Sequence, residues 1–339
     1  MAAATLLEAP LSPGEFQTAA RAALTRPPAG VDPWFHGSHG DLLDDRGYQT
    51  WVRAKVQLLA LIGGAEGRVV VDAGSGFGMV SNLLASWGAR RVWAAEVHTP
   101  MVESHRKVLD AHFGALRDRV HPVRTDVSSL PIAPASADVV LSIEAISHYY
   151  DVERFFDECA RVLRPGGFVV ISDGNNGANP RIRQQTEELW QRLEVGPTGK
   201  LGGHEIPEPM VSRRQRVLRE AFPHVAETQV VELAAATSGY DAERIVREVG
   251  AYLRKAGPAP ASRYQRGDCP REPVWGYWLE RLFDPRELCS MLERRGFRAY
   301  ALPHYGGAKN DLVHLANVAL RQVPSFRFAR AYRVVARRV

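Results

Sequence analysis

Two side chains that could act on a hydroxyl proton follow the ends of two predicted strands. The stretch "SIEAISHYYD" carries His148, and "VISDGNN" carries Asp173. A histidine with its ordinary pKa of about 6.5 can accept a proton near neutral pH, and a carboxylate can orient it or bind a substrate. Because parallel strands end at one edge of a sheet, we expect both side chains at the ligand-binding edge. The position also suits a histidine that only packs over a ligand, and the sequence leaves both roles open.

A glycine-rich loop preceded by an acidic residue predicts a site for a cationic ligand. In "VVVDAGSGFGMV" the glycines are Gly74, Gly76 and Gly78, and Asp72 precedes them. A pyrophosphate-binding dinucleotide loop, G-x-G-x-x-G, would place its third glycine where this chain has Met79. The Asp72 carboxylate would repel a pyrophosphate but suits the ammonium and sulfonium groups of S-adenosylmethionine. The loop therefore favours S-adenosylmethionine over a dinucleotide.

Alternating strands and helices would position these residues. Short apolar runs such as "RVVVDAG", "RRVWAAEV" and "FVVISD" are typical of buried parallel strands. Amphipathic runs such as "YQTWVRAKVQLLALIGG" and "DVERFFDECARVLRPGG" are typical of helices. The alternation predicts an α/β fold built on a doubly wound, mostly parallel sheet, which binds ligands beyond the carboxyl ends of its strands.

Four blocks of sequence follow one another in a characteristic order. They are "VDAGSGFG", a strand that ends at Glu96, "TDVSSLP" with Asp126, and "CARVLRPGGFVVISD". Through these blocks the chain resembles class I S-adenosylmethionine-dependent methyltransferases of the branch that acts on small molecules. The resemblance covers about residues 69–173 and again about 285–339. It implies a Rossmann-like methyltransferase fold with a seven-stranded sheet, and an enzyme that uses S-adenosylmethionine.

The resemblance also implies a role for individual positions. Gly74 and Gly76 would let the cofactor approach the backbone, and Asp72 would orient water or the cofactor's amino group. Glu96 would accept hydrogen bonds from both ribose hydroxyls, unless it is an ordinary surface carboxylate. The other cofactor-binding positions are Gly78, Val97, Asp126, Val127, Ile143 and Glu144.

Several of these positions carry a more specific expectation. Asp126 and the backbone of Val127 would accept from the adenine amino group, although Asp126 could merely cap a turn. Ile143 and Glu144 would border the methionine portion. In the sugar and natural-product O-methyltransferases that the core resembles, a histidine and an aspartate at the positions of His148 and Asp173 act on the acceptor hydroxyl.

The regular alternation breaks after Asp173. Helical pieces separated by glycine- and proline-rich loops fill the chain to about residue 284, which indicates a helical cap inserted after the fifth strand. The predicted divisions are an N-terminal arm and helix over the cofactor site (1–58), a cofactor-binding core (59–175), a cap for the acceptor (176–284) and the C-terminal part of the core sheet (285–339). The last part should contain a helix around residues 310–320 and a strand near 331–335.

Aromatic residues outside the core could line the ligand site. Trp275, Tyr277 and Trp278 could stack on a sugar or aryl ring, but equally could anchor the cap to the core. Tyr149 and Tyr150 are expected as wall residues, because a phenol with a pKa near 10 stays protonated at neutral pH. In the arm, Tyr48 or His39 could touch the cofactor; a solvated loop with an ordinary helix cap is the alternative.

The composition limits the class of function. The chain has 339 residues and a formal charge of +5, which is too weak for a nucleic-acid-binding protein. No run reaches the roughly 18 apolar residues of a membrane span, and the first residues lack the basic start of a secretory signal. The three widely spaced cysteines favour a reducing compartment. We therefore expect a cytoplasmic protein without nucleic-acid or membrane partners, and the oligomeric state stays open.

A metal is not expected. Asp173, Asn175 and Asn176 bring oxygen donors that suit a hard cation, but neighbours so close in sequence usually form a polar turn. The leading interpretation is transfer of a methyl group to a hydroxyl of a sugar, polyketide or other secondary metabolite, with His148 as general base. A C- or N-methyltransferase acting on a lipid, peptide or amine, and a non-catalytic methyltransferase-like binding subunit, are the alternatives.

Overall fold

The computed structural model describes residues 11–201, 204–305 and 325–339. The helix expected around residues 310–320 lies outside the described residues. By its internal contacts the chain divides into two compact units. The first unit comprises residues 1–146, 151–176 and 284–339, and the second comprises residues 147–150 and 177–283.

The strands of the described residues are, in chain order, β1 (Val69–Ala73), β2 (Arg91–Glu96), β3 (Val120–Arg124), β4 (Ala137–Ile143), β5 (Leu163–Asp173), β6 (Gly199–Leu201), β7 (His204–Ile206), β8 (Phe297–His304) and β9 (Ala331–Arg338). The helices are α1 (Pro13–Thr25), α2 (Trp34–His39), α3 (Asp45–Leu59), α4 (Met79–Ser86), α5 (Thr99–His112), α6 (Val152–Val162), α7 (Pro180–Val195), α8 (Met210–Ala221), α9 (Glu227–Ala236), α10 (Ala242–Leu253) and α11 (Pro285–Glu293).

The first unit contains a seven-stranded sheet in the order β3-β2-β1-β4-β5-β9-β8, as the described residues show it. Strands β1 to β5 pair in parallel, whereas β9 runs antiparallel to both β5 and β8. All five residues of β1 are buried, as expected for a central parallel strand covered on both faces. The predicted α/β fold with a mostly parallel, doubly wound sheet is confirmed, and so is a closing strand that includes residues 331–335.

The parallel pairing brings the ends of several strands to one edge of the sheet. The pairing of β1 with β2 and β4 places Asp72 beside Ala94 and Leu141. The pairing of β5 with β9 sets Asp173 opposite Tyr332. The chain order thus collects the predicted site residues of the first unit along the carboxyl edge, where a doubly wound sheet binds its ligands.

The N-terminal arm packs on the first unit through aromatic side chains. Phe16 of α1 is fully buried, with its ring centroid 5.3 Å from that of Phe113. Helix α3 begins after Asp44, whose side chain accepts a hydrogen bond from the Gly47 amide at 2.7 Å, a typical helix N-cap. Leu58 near the end of α3 is buried in the core of the unit. The arm is therefore an integral part of the first unit.

The second unit is built on α7 to α10 with the antiparallel strand pair β6 and β7. Its small core includes Leu218, Ile245 and Val249. Arg214 and Glu194 form a buried ion pair beneath these helices, and the Ser238 hydroxyl donates to Glu194 at 3.0 Å. Because both charges are paired and hydrogen-bonded, the pair fixes the helices without leaving a buried charge uncompensated.

Among the described residues, the helices are too short or too polar to cross a membrane. The expected absence of a membrane span concerned the whole sequence, and the structure adds this finding for the part it describes.

Candidate functional site

The glycine-rich loop after β1 has a left-handed backbone at all three glycines, with φ of 70° at Gly74, 54° at Gly76 and 76° at Gly78. Residues with a side chain rarely adopt this backbone conformation, which explains why glycine occupies all three positions. A Cβ added at Gly76 would have no atom within 4 Å, so open space adjoins the backbone there. A Cβ at Gly78 would instead lie 2.0 Å from the ring of His105. The third glycine therefore has a packing role that its spacing alone does not reveal.

The His105 ring packs against the glycine-rich loop at Gly78. The ring is buried on α5, and its Nε2 lies 3.1 Å from Oδ1 of Asn82. Burial lowers the pKa of His105 to about 3, because a charged imidazole would lose its hydration there. The ring is consequently neutral at physiological pH and acts as a packing group.

Glu96 at the end of β2 ties the loop to the neighbouring strand. Its Oε2 accepts from the Gly76 amide at 2.9 Å, and its Oε1 accepts from the amides of Val97 at 2.9 Å and His98 at 3.0 Å. Burial opposes ionisation of Glu96, but hydrogen bonds from His98 and Gly76 lower its pKa below the ordinary value. A carboxylate has about four lone-pair positions, and the three backbone donors together with Nδ1 of His98, 3.1 Å from Oε1, already use all four. Hydrogen bonds to both ribose hydroxyls therefore require two of these donors to be released.

Asp72 lies buried at the end of β1. Its Oδ2 accepts from the Ser81 hydroxyl at 2.6 Å. Burial raises the pKa of Asp72 to about 6, although the hydrogen bond from Ser81 and the charge of Lys55 oppose the shift. Asp72 is thus an anion at neutral pH that a nearby cation would stabilise further.

Asp126 begins a turn after β3. Its Oδ1 accepts from the Ser128 amide at 2.8 Å, and its carbonyl accepts from the Ser129 amide at 3.0 Å. The neighbouring Val127 is buried. Asp126 does cap a turn, as the alternative interpretation had it, and its role toward adenine stays a prediction.

Glu144 follows Ile143 at the end of β4 with an unusual backbone. Its φ of 49° is left-handed, a conformation that costs free energy in a residue with a side chain and often marks a functional site. Its Oε2 accepts from the Gly174 amide at 3.0 Å, which connects the ends of β4 and β5. The hydrogen bond from Gly174 therefore helps to hold Glu144 at the carboxyl edge in a strained backbone conformation.

Asp173 is fully buried at the end of β5 beside a tyrosine that the sequence analysis missed. Its Oδ1 accepts from the Asn175 amide at 2.8 Å, and Asn176 donates to the carbonyls of Phe326 and Ala329, each at 2.8 Å. The predicted polar turn is therefore tied to the segment before β9. Within the described residues, no group of three or more His, Cys, Asp and Glu side chains could hold a metal.

Tyr332 is the missed residue, and it lies in register with Asp173. Its side chain is fully buried, and its hydroxyl has no hydrogen-bond partner among the described residues. Burial together with the charges of Asp173 and Glu144 raises the pKa of Tyr332 well above its ordinary value, so the phenol keeps its proton. A buried hydroxyl without a partner is costly, and it could serve as a donor to a ligand.

His148 lies in the second unit, at the end of the short helical turn Ile146–His148. Its Nδ1 is 2.9 Å from the carbonyl oxygen of Trp278, and its Nε2 is 3.7 Å from Oε1 of Glu280. A carbonyl only accepts, so Nδ1 carries the hydrogen, and Nε2 of the neutral ring keeps its lone pair. The sequence analysis expected Asp173 as partner of His148; the structure places the Glu280 carboxylate beside it, and Asp173 belongs to the first unit.

Glu280 is held by a loop that no sequence pattern marked. The Arg281 amide donates to the Ser147 carbonyl at 3.2 Å, and the Trp278 amide donates to the His148 carbonyl at 3.4 Å. Residues 278–281 therefore pair with residues 147–148 on either side of Glu280. The φ of Glu280 is 57°, again left-handed. The combination of a strained acidic residue and a fixed histidine is typical of a functional site.

The aromatic residues of the second unit have different surroundings. The hydroxyl of Tyr150 donates to the Trp275 carbonyl at 2.7 Å. The guanidinium of Arg281 lies 5.4 Å from the centre of the Trp278 ring, and the indole of Trp278 donates to Tyr150 at 3.4 Å. Trp278 therefore anchors its own loop, whereas Trp275 is half exposed. Tyr149 is buried, and Tyr277 lies edge-on to His148 with 6.2 Å between the rings.

In the arm, aromatic rings surround Phe77 of the glycine-rich loop. Phe35 lies 5.5 Å and His39 6.1 Å from Phe77, both edge-on. The Nδ1 of His39 lies 3.1 Å from the Phe35 carbonyl, and the Tyr48 hydroxyl donates to Pro13 at 3.4 Å. The arm therefore contacts the loop directly, and contact of Tyr48 or His39 with a ligand stays a prediction.

Comparison with known proteins finds similarity in part of the core. Residues 71–171 match the family model described as a methyltransferase domain. A Mycolicibacterium smegmatis protein named "Probable S-adenosylmethionine-dependent methyltransferase" is 38% identical over 109 residues, covering 32% of this chain and 39% of the relative. A dimethylglycine N-methyltransferase of Parasynechococcus marenigrum is 36% identical over 109 residues, covering 32% and 38%.

A third relative is a malonyl-acyl-carrier-protein O-methyltransferase of a Methylovorus species. It is 35% identical over 148 residues, covering 42% of this chain and 49% of the relative. The chain thus spans less than half of the length of each of these three relatives.

The residues of the loop fit the cofactor named in the first of these relatives. Open space at Gly76 lets an adenosine approach the backbone. The buried anion at Asp72 suits an ammonium group, and the ionised Glu96 beside Gly76 suits a hydroxyl donor. The two carboxylates therefore favour a ligand with a positive charge and hydroxyl groups over an anionic phosphate.

Proposed function

We propose that the chain methylates a hydroxyl group of a small molecule, since residues 71–171 match a model of a methyltransferase domain and the chain is similar to an S-adenosylmethionine-dependent methyltransferase. The observation that carries the hydroxyl assignment is the fixed tautomer of His148. Its Nδ1 hydrogen goes to the Trp278 carbonyl, which leaves Nε2 as a proton acceptor beside Glu280. A nitrogen acceptor would need such a base less.

In this proposal the first unit binds the cofactor. Asp72 binds the amino group, Glu96 accepts from the ribose, and Asp126 with the Val127 backbone recognises adenine. Gly74 and Gly76 let the cofactor approach the backbone, Gly78 keeps the loop packed on His105, and Val97, Ile143 and Glu144 border the cofactor. When bound, S-adenosylmethionine supplies an activated methyl group, so the chain's own task is alignment and exclusion of water.

His148 and Glu280 handle the proton. His148 takes the hydroxyl proton at Nε2 as the oxygen attacks, and the Glu280 carboxylate stabilises the imidazolium that forms. Trp278 holds the ring in the productive tautomer throughout. Asp173 binds the acceptor in this account, with Tyr332 beside it as a donor.

A sugar, polyketide or other secondary metabolite is the proposed acceptor class, and natural-product biosynthesis the proposed setting. The half-exposed ring of Trp275 supports it, because such a ring can stack on a sugar or aryl face. Methylation of an amine is the second candidate, and the similarity to a dimethylglycine N-methyltransferase favours it. On that alternative, His148 has no essential role as base.

Methyl transfer from radiolabelled S-adenosylmethionine to a panel of hydroxylated sugars, aryl polyketides and amines tests the proposal. We expect a methyl ether product, and His148→Ala should lower kcat by about 10²- to 10⁴-fold with unchanged cofactor affinity. His224→Ala, at an exposed position of the same unit, is the matched control and should retain full activity. Labelled amine products that persist in His148→Ala would overturn the hydroxyl assignment.

A further inference from the structure

The His98 side chain lies against the carboxylate that the proposed function assigns to the ribose. His98 is the N-cap residue of α5, and its carbonyl accepts from the amides of Met101 and Val102, each at 3.1 Å. Its backbone is therefore fixed at the start of the helix. Within the described residues, the imidazole makes no capping hydrogen bond to α5. Its Nδ1 instead lies 3.1 Å from Oε1 of Glu96.

Three donors converge on this one oxygen of Glu96. The amides of Val97 and His98 donate to Oε1 at 2.9 and 3.0 Å, and Nδ1 of His98 is the third donor. A carboxylate only accepts, so Nδ1 carries the hydrogen in this contact. Each carboxylate oxygen has about two lone-pair positions, and Oε1 is therefore crowded. A ligand hydroxyl can bind Oε1 only if one of the three donors leaves.

The imidazole is the donor of this set that leaves most easily. The amides of Val97 and His98 belong to the backbone that joins β2 to α5, so their release requires the chain itself to move. The imidazole needs only a rotation about its side-chain bonds. Its side chain is 20% exposed, so solvent already reaches the ring. A ribose hydroxyl on Oε1 therefore takes the place of Nδ1, and this exchange of one hydrogen bond for another stabilises the complex less than binding to an unoccupied carboxylate would.

We propose that His98 competes with the ribose of the cofactor for Glu96. This inference rests on the proposed function, in which Glu96 accepts from the ribose. The contact is autoinhibitory, because it lowers the affinity for each ligand whose ribose hydroxyls bind Glu96. S-adenosylhomocysteine, which remains after methyl transfer, keeps the ribose. The same competition therefore speeds release of this product.

Calorimetric titration with S-adenosylhomocysteine and with its 2′,3′-dideoxy analogue, which lacks only the two ribose hydroxyls, tests the inference. His98→Phe keeps an aromatic ring but has no donor for Glu96. It should bind S-adenosylhomocysteine about 3- to 10-fold more tightly than the wild-type protein, as expected for removal of one competing hydrogen bond. Its affinity for the dideoxy analogue should stay unchanged, and stopped-flow displacement should show slower release of S-adenosylhomocysteine.

Two further variants serve as controls. His98→Gln has an amide that can donate to Glu96, so it should restore part of the competition. His112→Ala, at the other end of α5, is the matched control. The Nε2 of His112 lies 3.1 Å from the Arg26 carbonyl, so its loss should leave both affinities unchanged.

Unchanged binding of S-adenosylhomocysteine by His98→Phe would overturn the inference. Weaker binding by this variant would assign the imidazole a direct bond to the ligand and overturn the inference as well. In either case, weaker binding by Glu96→Ala would leave the proposed ribose contact intact. Unchanged binding by Glu96→Ala, or absence of any binding by the wild-type protein, would instead overturn that part of the proposed function and the inference with it.

Discussion

Gly76 and Gly78 have the same backbone conformation but different neighbours. Gly76 faces open space, whereas the His105 ring occupies the position of a side chain at Gly78. Gly76→Ala should therefore cost only the backbone strain, about 1 kcal/mol. Gly78→Ala should cost more, about 2 to 4 kcal/mol, because the His105 ring must also move.

Urea unfolding of the two variants measures this difference. The conformational cost is common to both, so the comparison isolates the contact with His105. Equal destabilisation of the two variants would contradict a packing role for Gly78.

Asp72 should give the cofactor affinity a characteristic pH dependence. Its pKa of about 6 is raised above the unfolded value, so the carboxyl is protonated below about pH 6 and anionic above it. A cationic ligand should therefore bind more weakly as the pH falls from about 7 to 5. Calorimetry across this range should show the decline in the wild-type protein.

Asp72→Asn is the control, and its weaker binding should no longer follow this pH profile. The same raised pKa means that Asp72 destabilises the cofactor-free protein as the pH rises from about 4 to 6. A pH profile that is identical in wild type and Asp72→Asn would show that another group controls cofactor binding.

Much of the residue-scale site could be predicted, because it depends on local order. Asp72 lies near the end of β1, the three glycines follow that strand, and Glu96 ends β2. Short apolar runs in the sequence predict both strands. The packing role of Gly78 could not be predicted, since His105 lies on a separate helix and nothing local links the two.

At the scale of elements, the paired segments around residues 147–150 and 278–281 place the His148 ring against the Trp278 carbonyl and beside the Glu280 carboxylate. Oε1 of Glu280 lies 3.7 Å from Nε2 of the His148 ring. Glu280→Gln should lower kcat for methyl transfer to a hydroxyl, because the carboxylate stabilises the imidazolium that forms. The side chains of His148 and Glu280 are 35% and 39% exposed, so we expect a loss of less than about tenfold.

Initial rates of methyl transfer at saturating cofactor and acceptor measure this loss. Glu243→Gln, at a side chain 91% exposed on α10, is the matched control and should leave kcat unchanged. An unchanged kcat in Glu280→Gln would remove Glu280 from the mechanism.

The pairing of β9 with β5 places the Tyr332 hydroxyl at the end of the sheet without a partner among the described residues. Tyr332→Phe should leave the free energy of unfolding unchanged or raise it, because it removes an unsatisfied buried group. If the hydroxyl donates to the acceptor, the KM for the acceptor should rise several-fold while cofactor affinity stays the same. Loss of stability in Tyr332→Phe would show that the hydroxyl has a structural partner.

The elements differ in how far the sequence determines them. Strands β1, β2, β4 and β5 each contain a short apolar run, and the parallel pairing of these strands follows from the alternation with helices. The register of β9 against β5 joins residues more than 150 positions apart, and no local pattern encodes such a pairing. The loop that holds Glu280 is irregular for the same reason, since its conformation depends on bonds to residues 147–149.

At the scale of the whole molecule, the two units differ in how much of their chemistry can be inferred from the sequence. The first unit contains the domain that relatives share, and its chemistry can be inferred from residue types and order. The second unit has few patterns beyond amphipathic helices, and the three relatives described above align with less than half of their own length. The acceptor therefore has to be identified by experiment, whereas the cofactor follows from the first unit.

The most direct test of the account is a crystal structure of the protein grown with S-adenosylhomocysteine. We predict the adenosine beside the open backbone of Gly76, with a ribose hydroxyl on Glu96 and the amino group near Asp72. A crevice at the ends of β1 and β2 that stays empty at saturating ligand, or that the chain's own side chains fill, would contradict the assignment.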